Sequence, residues 1–196
     1  MNPLPPGPFG VCLADPPWHF KRYSEKASAK SKSKGRAPQD HYQTMTIPEI
    51  KALPVGDVAA KDAVLLMWTT WPHLKFALEV IDAWGFEYKT CGFDWMKADV
   101  STRDLFPDPK TAAMKMGYWT RSNSEPCLLA TRGKPKRRDA GVRMGIIEPS
   151  RQHSRKPDCV YDRIERLVAG PYLELFARTQ RPGWTAWGNQ TDRFAP

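Results

Sequence analysis

Short apolar runs recur along the chain at Val11–Ala14, Ala63–Thr69, Tyr88–Trp95, Pro126–Thr131, Gly145–Glu148, Tyr172–Ala177 and Thr185–Gly188. Their lengths and bounding turn residues predict buried strands. Between some of them the apolar positions change to a spacing of three and four. From Pro72 to Trp84, the residues Leu74, Leu78, Ile81 and Trp84 fall on one stripe, with Pro72 suited to a first turn and Gly85 to a C-terminal cap. From Pro157 to Val168 the stripe is Val160, Tyr161, Ile164, Leu167 and Val168, closed by Gly170. Thr46 and Glu49 form a capping-box signature for a short helix ending before Pro54. Strands alternating with helices predict an α/β layered fold on a largely parallel sheet. No repeat and no second domain boundary is visible, so residues 1–196 read as one domain. Sheets of this kind bind ligands beyond the carboxyl ends of their strands, so functional residues are expected just after the apolar runs.

Composition narrows the class. With 41% hydrophobic and 26% charged residues, the chain is typical of water-soluble globular proteins. No run approaches the ~20 apolar residues of a membrane helix. The opening MNPLPPGPFG lacks the basic and apolar regions of a secretory signal. Cys12, Cys91, Cys127 and Cys159 are scattered without any C-x-x-C pair, so neither a disulfide framework nor a zinc knuckle is expected, and a reducing cytoplasm fits. His19, His41, His73 and His153 show no metal spacing, and no metal is expected. G-x-G-x-x-G, Walker and H-E-x-x-H patterns do not occur.

Charge becomes informative once it is located. The net charge is +9, but 21–39 carries +6, 132–143 carries +5 and 151–156 carries +3, leaving a mildly acidic body. Three basic loops on such a body predict a phosphate-binding rim. The candidates are Lys21, Arg22, Lys30, Lys32, Lys34 and Arg36 in the first loop and Arg137 and Arg138 in the second. The first loop is rich in Ser, Ala and Lys without an apolar anchor, and reads as a flexible segment ordered by an anionic partner.

The first apolar run is followed directly by Asp15-Pro16-Pro17-Trp18. Two prolines supply no N–H, so the backbone offers only acceptors on a stiffened chain. Asp15 adds a carboxylate and Trp18 a π-face. Acceptors beside a stacking surface suit a flat, conjugated NH₂ group such as the exocyclic amine of an extruded adenine. Accepting both N–H bonds favours a more tetrahedral nitrogen and returns its lone pair for attack.

These residues, in order with HYQTMT (41–46), LLMWTT (65–70), WGFEYKTCGFDWMK (84–97), GYWTRSNSEPCLLATRGKP (117–135), SRKPDCVYDRIERL (154–167), YLELFAR (172–178) and RPGWTAWGNQ (181–190), resemble the MT-A70 family. The likeness runs from about Val11 to Gln190, to a compact bacterial or phage type. It implies a Rossmann-like methyltransferase fold. It also implies transfer of a methyl group from S-adenosylmethionine to adenine N6 in nucleic acid, leaving S-adenosylhomocysteine. DNA is the expected substrate, since no RNA-binding module is recognisable. RNA methylation and a catalytically silent binding subunit are the alternatives. Silent members alter the D-P-P-aromatic residues, and this chain keeps all four. Related enzymes often pair, which implies a homodimer.

The resemblance also implies roles. Asp15 faces the target amine and the cofactor ammonium, Pro16 and Pro17 shape the pocket, and Trp18 packs on the base. Tyr42 lies near that base. Lys156 approaches the cofactor carboxylate, Phe176 and Arg178 of YLELFAR hold further parts of the cofactor, and Asn189 and Gln190 bind its ribose. Larger members carry an acidic and an apolar residue upstream of DPPW for the cofactor adenine. Met1–Gly10 contains no acid, which assigns that role to Phe9 or another segment. A cation such as Lys156 just before a helix opposes the helix dipole, a mismatch that predicts an anion beside it.

Overall fold

The computed structural model describes residues 2–19, 44–98, 119–152 and 154–194. Tyr42 and the whole 21–39 loop lie outside the described residues. The described strands are β1 (Phe9–Ala14), β2 (Ala59–Trp68), β3 (Glu87–Ala98), β4 (Ser124–Arg132), β5 (Gly145–Pro149), β6 (Tyr172–Leu175) and β7 (Trp184–Trp187). They form one sheet in the order β5-β3-β4-β2-β1-β6-β7. Every neighbouring pair is parallel except the two made by β4, which runs against β2 and β3. The fold is therefore the α/β, largely parallel, Rossmann-like class expected, with one reversed strand inside it.

Helices α1 (Ile47–Lys51), α2 (Val55–Val58), α3 (Leu74–Ala83) and α4 (Cys159–Leu167) complete the described elements, with a 3₁₀ turn at Trp71–His73. Alternation along β1 and β2 splits the core in two. Cys12, Ala14, Leu65 and Met67 pack with Ile50 of α1 and Ala77, Val80 and Ile81 of α3. Val11, Leu13, Val64, Leu66 and Trp68 face the other way and pack with Val160 and Ile164 of α4. Period-two side chains on strands and period-3.6 stripes on helices thus produce three layers.

The capping box forms as read: Thr46 Oγ1 accepts from the Glu49 N–H, and Glu49 accepts from the Thr46 N–H at 2.7 Å. Every strand departs from its apolar run at one end or both, the largest shift being the start of β2 at Ala59 in place of Ala63, and three boundaries are set by local backbone geometry. The Pro72–Trp84 stripe divides into the 3₁₀ turn and α3, ending at Gly85 with φ +78°. The Pro157–Val168 helix starts at Cys159, behind Asp158. The run Tyr172–Ala177 stops as a strand at Leu175, because Phe176 turns left-handed at φ +60°. Phe9 is buried in the core at 5% exposure, so it is not free to cradle a ligand and that assignment is corrected.

A candidate active site at the carboxyl edge of the sheet

Asp15 stands at the exit of β1, where its N–H reaches the Leu175 carbonyl at the exit of β6. Lys156, just ahead of α4, donates to the Asp15 carboxylate at 3.0 Å. On its other side, Lys156 meets Glu125 Oε1 at 2.7 Å, and Glu125 Oε2 meets Lys97 Nζ at 2.5 Å. Arg178, after β6, lies 3.9 Å from Asp15 Oδ2. The chain Lys97–Glu125–Lys156–Asp15–Arg178 therefore alternates in sign across the edge. Lys97 and Lys156 also lie over the rings of Trp95 and Trp68 at 4.7 and 5.6 Å.

Burial makes these charges interdependent. Desolvation alone pushes the Glu125 carboxyl upward, but Lys156 and Lys97 overcome it and hold the group down at about 2. Lys156 shows the mirror effect. Burial disfavours its charge, while Asp15 and Glu125 raise its pKa above the ordinary lysine value. Nothing in the sequence pattern singles out Glu125 or Lys97. The one available signal is a charge set against apolar strand residues, SEPCLL in the first case and DWMK in the second. Glu125 reaches this edge because β4 is reversed, which brings a strand's beginning where its neighbours end.

A cleft opens beside the chain of charges, lined by Asp15, Lys156, Phe176, Arg178, Tyr161 and Glu174 among others. Burial pushes the Glu174 carboxyl up to about 7, against a hydrogen bond that Tyr161 donates to Oε1 at 3.0 Å. Its Oε2 is buried with no hydrogen-bond partner among the described residues. The left-handed backbone of Phe176 costs roughly 1–2 kcal/mol and is retained where its ring faces the cleft.

The structure thus brings Asp15, Lys156, Phe176 and Arg178 into one cleft. Asn189 and Gln190 line a separate open groove with Asn2 and Arg193. The C-terminal segment divides the two hollows. Phe194 lines the first and is held by its N–H to the Arg178 carbonyl and by Thr179 Oγ1 to its own carbonyl. Gln190 Oε1 accepts from Arg193 Nη1 at 2.8 Å.

Within DPPW, the expected acceptors and π-face are partly committed to the fold. The Pro16 carbonyl accepts from the Trp18 N–H at 2.8 Å and the Pro17 carbonyl from the Met45 N–H at 2.9 Å, leaving one lone pair on each. Trp18 is only 4% exposed, donates to the Trp68 carbonyl and stacks on His73 at 5.9 Å. It is a wall rather than an open platform. The dipole mismatch at Lys156 is already met within the chain by Asp15 and Glu125. Arg151 and Arg155 instead pair with Asp158 at 2.5 and 3.3 Å.

The basic segments separate. Residues 151–156 follow β5 onto the edge that carries Asp15. Arg137 and Arg138 follow β4, whose end pairs with the beginning of β2, and the Arg138 N–H bonds the Leu167 carbonyl at the end of α4. Their segment belongs to the amino edge. The expected single rim of three basic loops is corrected accordingly: two of the three segments cannot share one edge.

The MT-A70 family model matches residues 9–190, from the first residue of β1 to Gln190. The chain belongs to the MT-A70 family. This MT-A70 chain is 34% identical to Type II methyltransferase M.MunI of Mycoplasma sp, over 94% of its own length and 78% of that protein. It is 30% identical to the N(6)-adenosine-methyltransferase catalytic subunit METTL3 of Homo sapiens, over 95% of its own length and 29% of that protein. The Drosophila melanogaster N(6)-adenosine-methyltransferase MT-A70-like protein is 29% identical, with 27% of its length covered. Membership makes this an S-adenosylmethionine-dependent methyltransferase. No helix among the described residues is long and apolar enough to cross a membrane.

Proposed function

We propose that the protein transfers a methyl group from S-adenosylmethionine to the N6 amine of adenine in DNA, with Asp15 as the central residue. The observation that carries this reading is the Asp15 carboxylate at the exit of β1, on the DPPW turn, held between Lys156 and Arg178 over a cleft. The match to a type II methyltransferase over most of its length supports DNA over RNA.

The donor set fits the cofactor. Its methionine end carries an ammonium and a carboxylate, and the cleft presents Asp15 for the first and Lys156 and Arg178 for the second. Phe176 supplies apolar wall, and Asn189 and Gln190 offer hydrogen-bonding side chains across the C-terminal segment. When bound, the cofactor supplies an electrophilic methyl group on a sulfonium.

The protein's own task is alignment, which contributes about 7–11 kcal/mol when the reacting atoms are held near contact. Asp15 accepts N–H bonds from the amine and stabilises positive charge developing on it. A strong base is not needed before attack, since the nitrogen, acidic once it is cationic, then releases its proton to water. Lys156 and Arg178 flank the Asp15 carboxylate and hold it in place for that purpose. Tyr42 and the lysines of 21–39 complete the proposal at the base and the flanking phosphates.

The test is transfer of tritiated methyl from S-adenosylmethionine to mixed DNA and, separately, mixed RNA. Incorporation into adenine N6 of DNA is expected, and Asp15→Asn should lower the rate by more than tenfold, a loss above ~1.4 kcal/mol. Incorporation into RNA alone, or an Asp15→Asn variant within tenfold of the parent, contradicts the reading.

A further inference from the structure

The eight tryptophans fall into two groups. Six are at most 8% exposed: Trp18, Trp68, Trp84, Trp95, Trp184 and Trp187. Trp71 is 48% exposed and Trp119 92%. Both exposed residues flank the site's edge, Trp71 at the exit of β2 and Trp119 on the approach to β4.

Trp71 is exposed yet fixed. Its Nε1 donates to Ser124 Oγ at 3.0 Å, and Pro72 stiffens the 3₁₀ turn that carries it. Ser124 directly precedes Glu125, and Trp68, three residues before Trp71, lies under Lys156 and receives the Trp18 N–H. The indole is therefore anchored between β2 and β4, against the same edge as the charged chain, with half its surface in solvent. Holding the ring in place beforehand removes an ordering cost that a ligand would otherwise meet.

The neighbourhood is aromatic and cationic. Rings pass outward from Trp18 to His73 at 5.9 Å and on to Phe76 at 6.1 Å, where Phe76 is 40% exposed. Lys75 and Arg121 are exposed on the flanking segments. Flat rings interleaved with cations form the surface on which unpaired nucleotides stack while their phosphates are neutralised. Trp18, the aromatic of the DPPW turn, is too buried to serve as such a platform.

We propose that Trp71 is a nucleotide-stacking residue that receives an unpaired DNA base beside the target adenine. This rests on the methyltransferase reading for the identity of the strand, since an extruded base leaves its neighbours unstacked. Ser124 is the positioning residue that holds the ring.

The test measures affinity of the full chain for a fluorescent, mixed-sequence, single-stranded DNA oligonucleotide across a salt series, with S-adenosylmethionine affinity measured in parallel. Trp71→Ala should weaken DNA binding about tenfold, the order found for losing one stacked base. Trp71→Phe should restore most of that loss, and Ser124→Ala should weaken binding by a smaller factor. The salt slope should stay constant because no cation is removed, and cofactor affinity should not change. Parent-like DNA affinity in Trp71→Ala overturns the proposal. So does a changed self-association without a change in DNA affinity, or a loss confined to an RNA oligonucleotide. Should Trp71→Ala fail to fold, Ser124→Ala decides: parent-like affinity there overturns it. Methyl transfer is measured on the same oligonucleotide, so weakened binding with no transfer by the parent refutes the catalytic reading and leaves the stacking role standing.

Discussion

Glu125 lies between two buried ammonium groups and neutralises neither completely, since Lys156 is shared with Asp15. Removing its charge leaves two buried cations facing one carboxylate, and breaking a buried pair in this way costs roughly 3–5 kcal/mol. Glu125→Gln keeps the shape and should sit near the lower end, lowering the melting temperature by about 6–12 °C. Glu174 makes a different prediction. Its folded carboxyl titrates at about 7, above the ordinary 4.5, so between those values the folded state holds a proton that the unfolded chain has released. Its contribution to stability therefore falls as pH rises from about 4.5 to about 7 and is constant above. His73, whose pKa burial lowers, acts in the opposite direction below 6.5. The difference between parent and Glu174→Gln isolates the glutamate. The variant should gain stability relative to the parent as pH rises through that window, and parallel curves would refute the assignment. Asp15 and Lys156 were legible because they sit in unusual local contexts, before two prolines and before a helix. Glu125, Lys97 and Glu174 were not, since burial and pairing of a charge depend on strands far away in sequence.

The elements themselves were largely legible. Apolar runs of strand length became strands because a sheet covered on both faces needs apolar side chains on both. What escaped was backbone geometry. Nothing in YLELFAR announces that its strand ends at Leu175, and only the φ of Phe176 shows it. That turn is braced from β7: the Ala177 N–H bonds the Trp187 carbonyl, and Gly188 packs directly on Ala177. A Cβ at Gly188 would stand 2.9 Å from both the nitrogen and the oxygen of Ala177. Those are backbone atoms and cannot rotate away. Gly188→Ala should thus push apart the exits of β6 and β7, lowering the melting temperature and weakening S-adenosylmethionine binding by tenfold or more. An unchanged affinity would show that the turn tolerates the displacement. At the start of α1, Thr46→Ala removes the capping box and should cost about 1 kcal/mol without touching cofactor affinity.

At the scale of the whole molecule, the two edges of the sheet divide the charge. Replacing Arg137 and Arg138 with Ser should leave the salt slope of DNA binding unchanged, since their segment belongs to the amino edge. Replacing Lys30, Lys32, Lys34 and Arg36 should flatten it. A slope reduced by the arginine pair would mean that DNA wraps onto the far edge. The strand order carries a further consequence. Elements before residue 99 supply β1, β2 and β3, those after residue 118 supply β4 to β7, and in the sheet the two sets interleave. The strand β3 makes no ladder with β2 and is hydrogen-bonded into the first half's strands only by way of β4. Of the four ion pairs in the charged chain, only Lys156–Glu125 lies within one half. A chain severed between Ala98 and Trp119 is therefore a matched lock and key made from one gene. Each fragment alone keeps only part of its ladders, β1–β2 in the first and β6–β7 in the second, and loses the other partners of its strands and charges, so methyl transfer would report the moment at which the two meet.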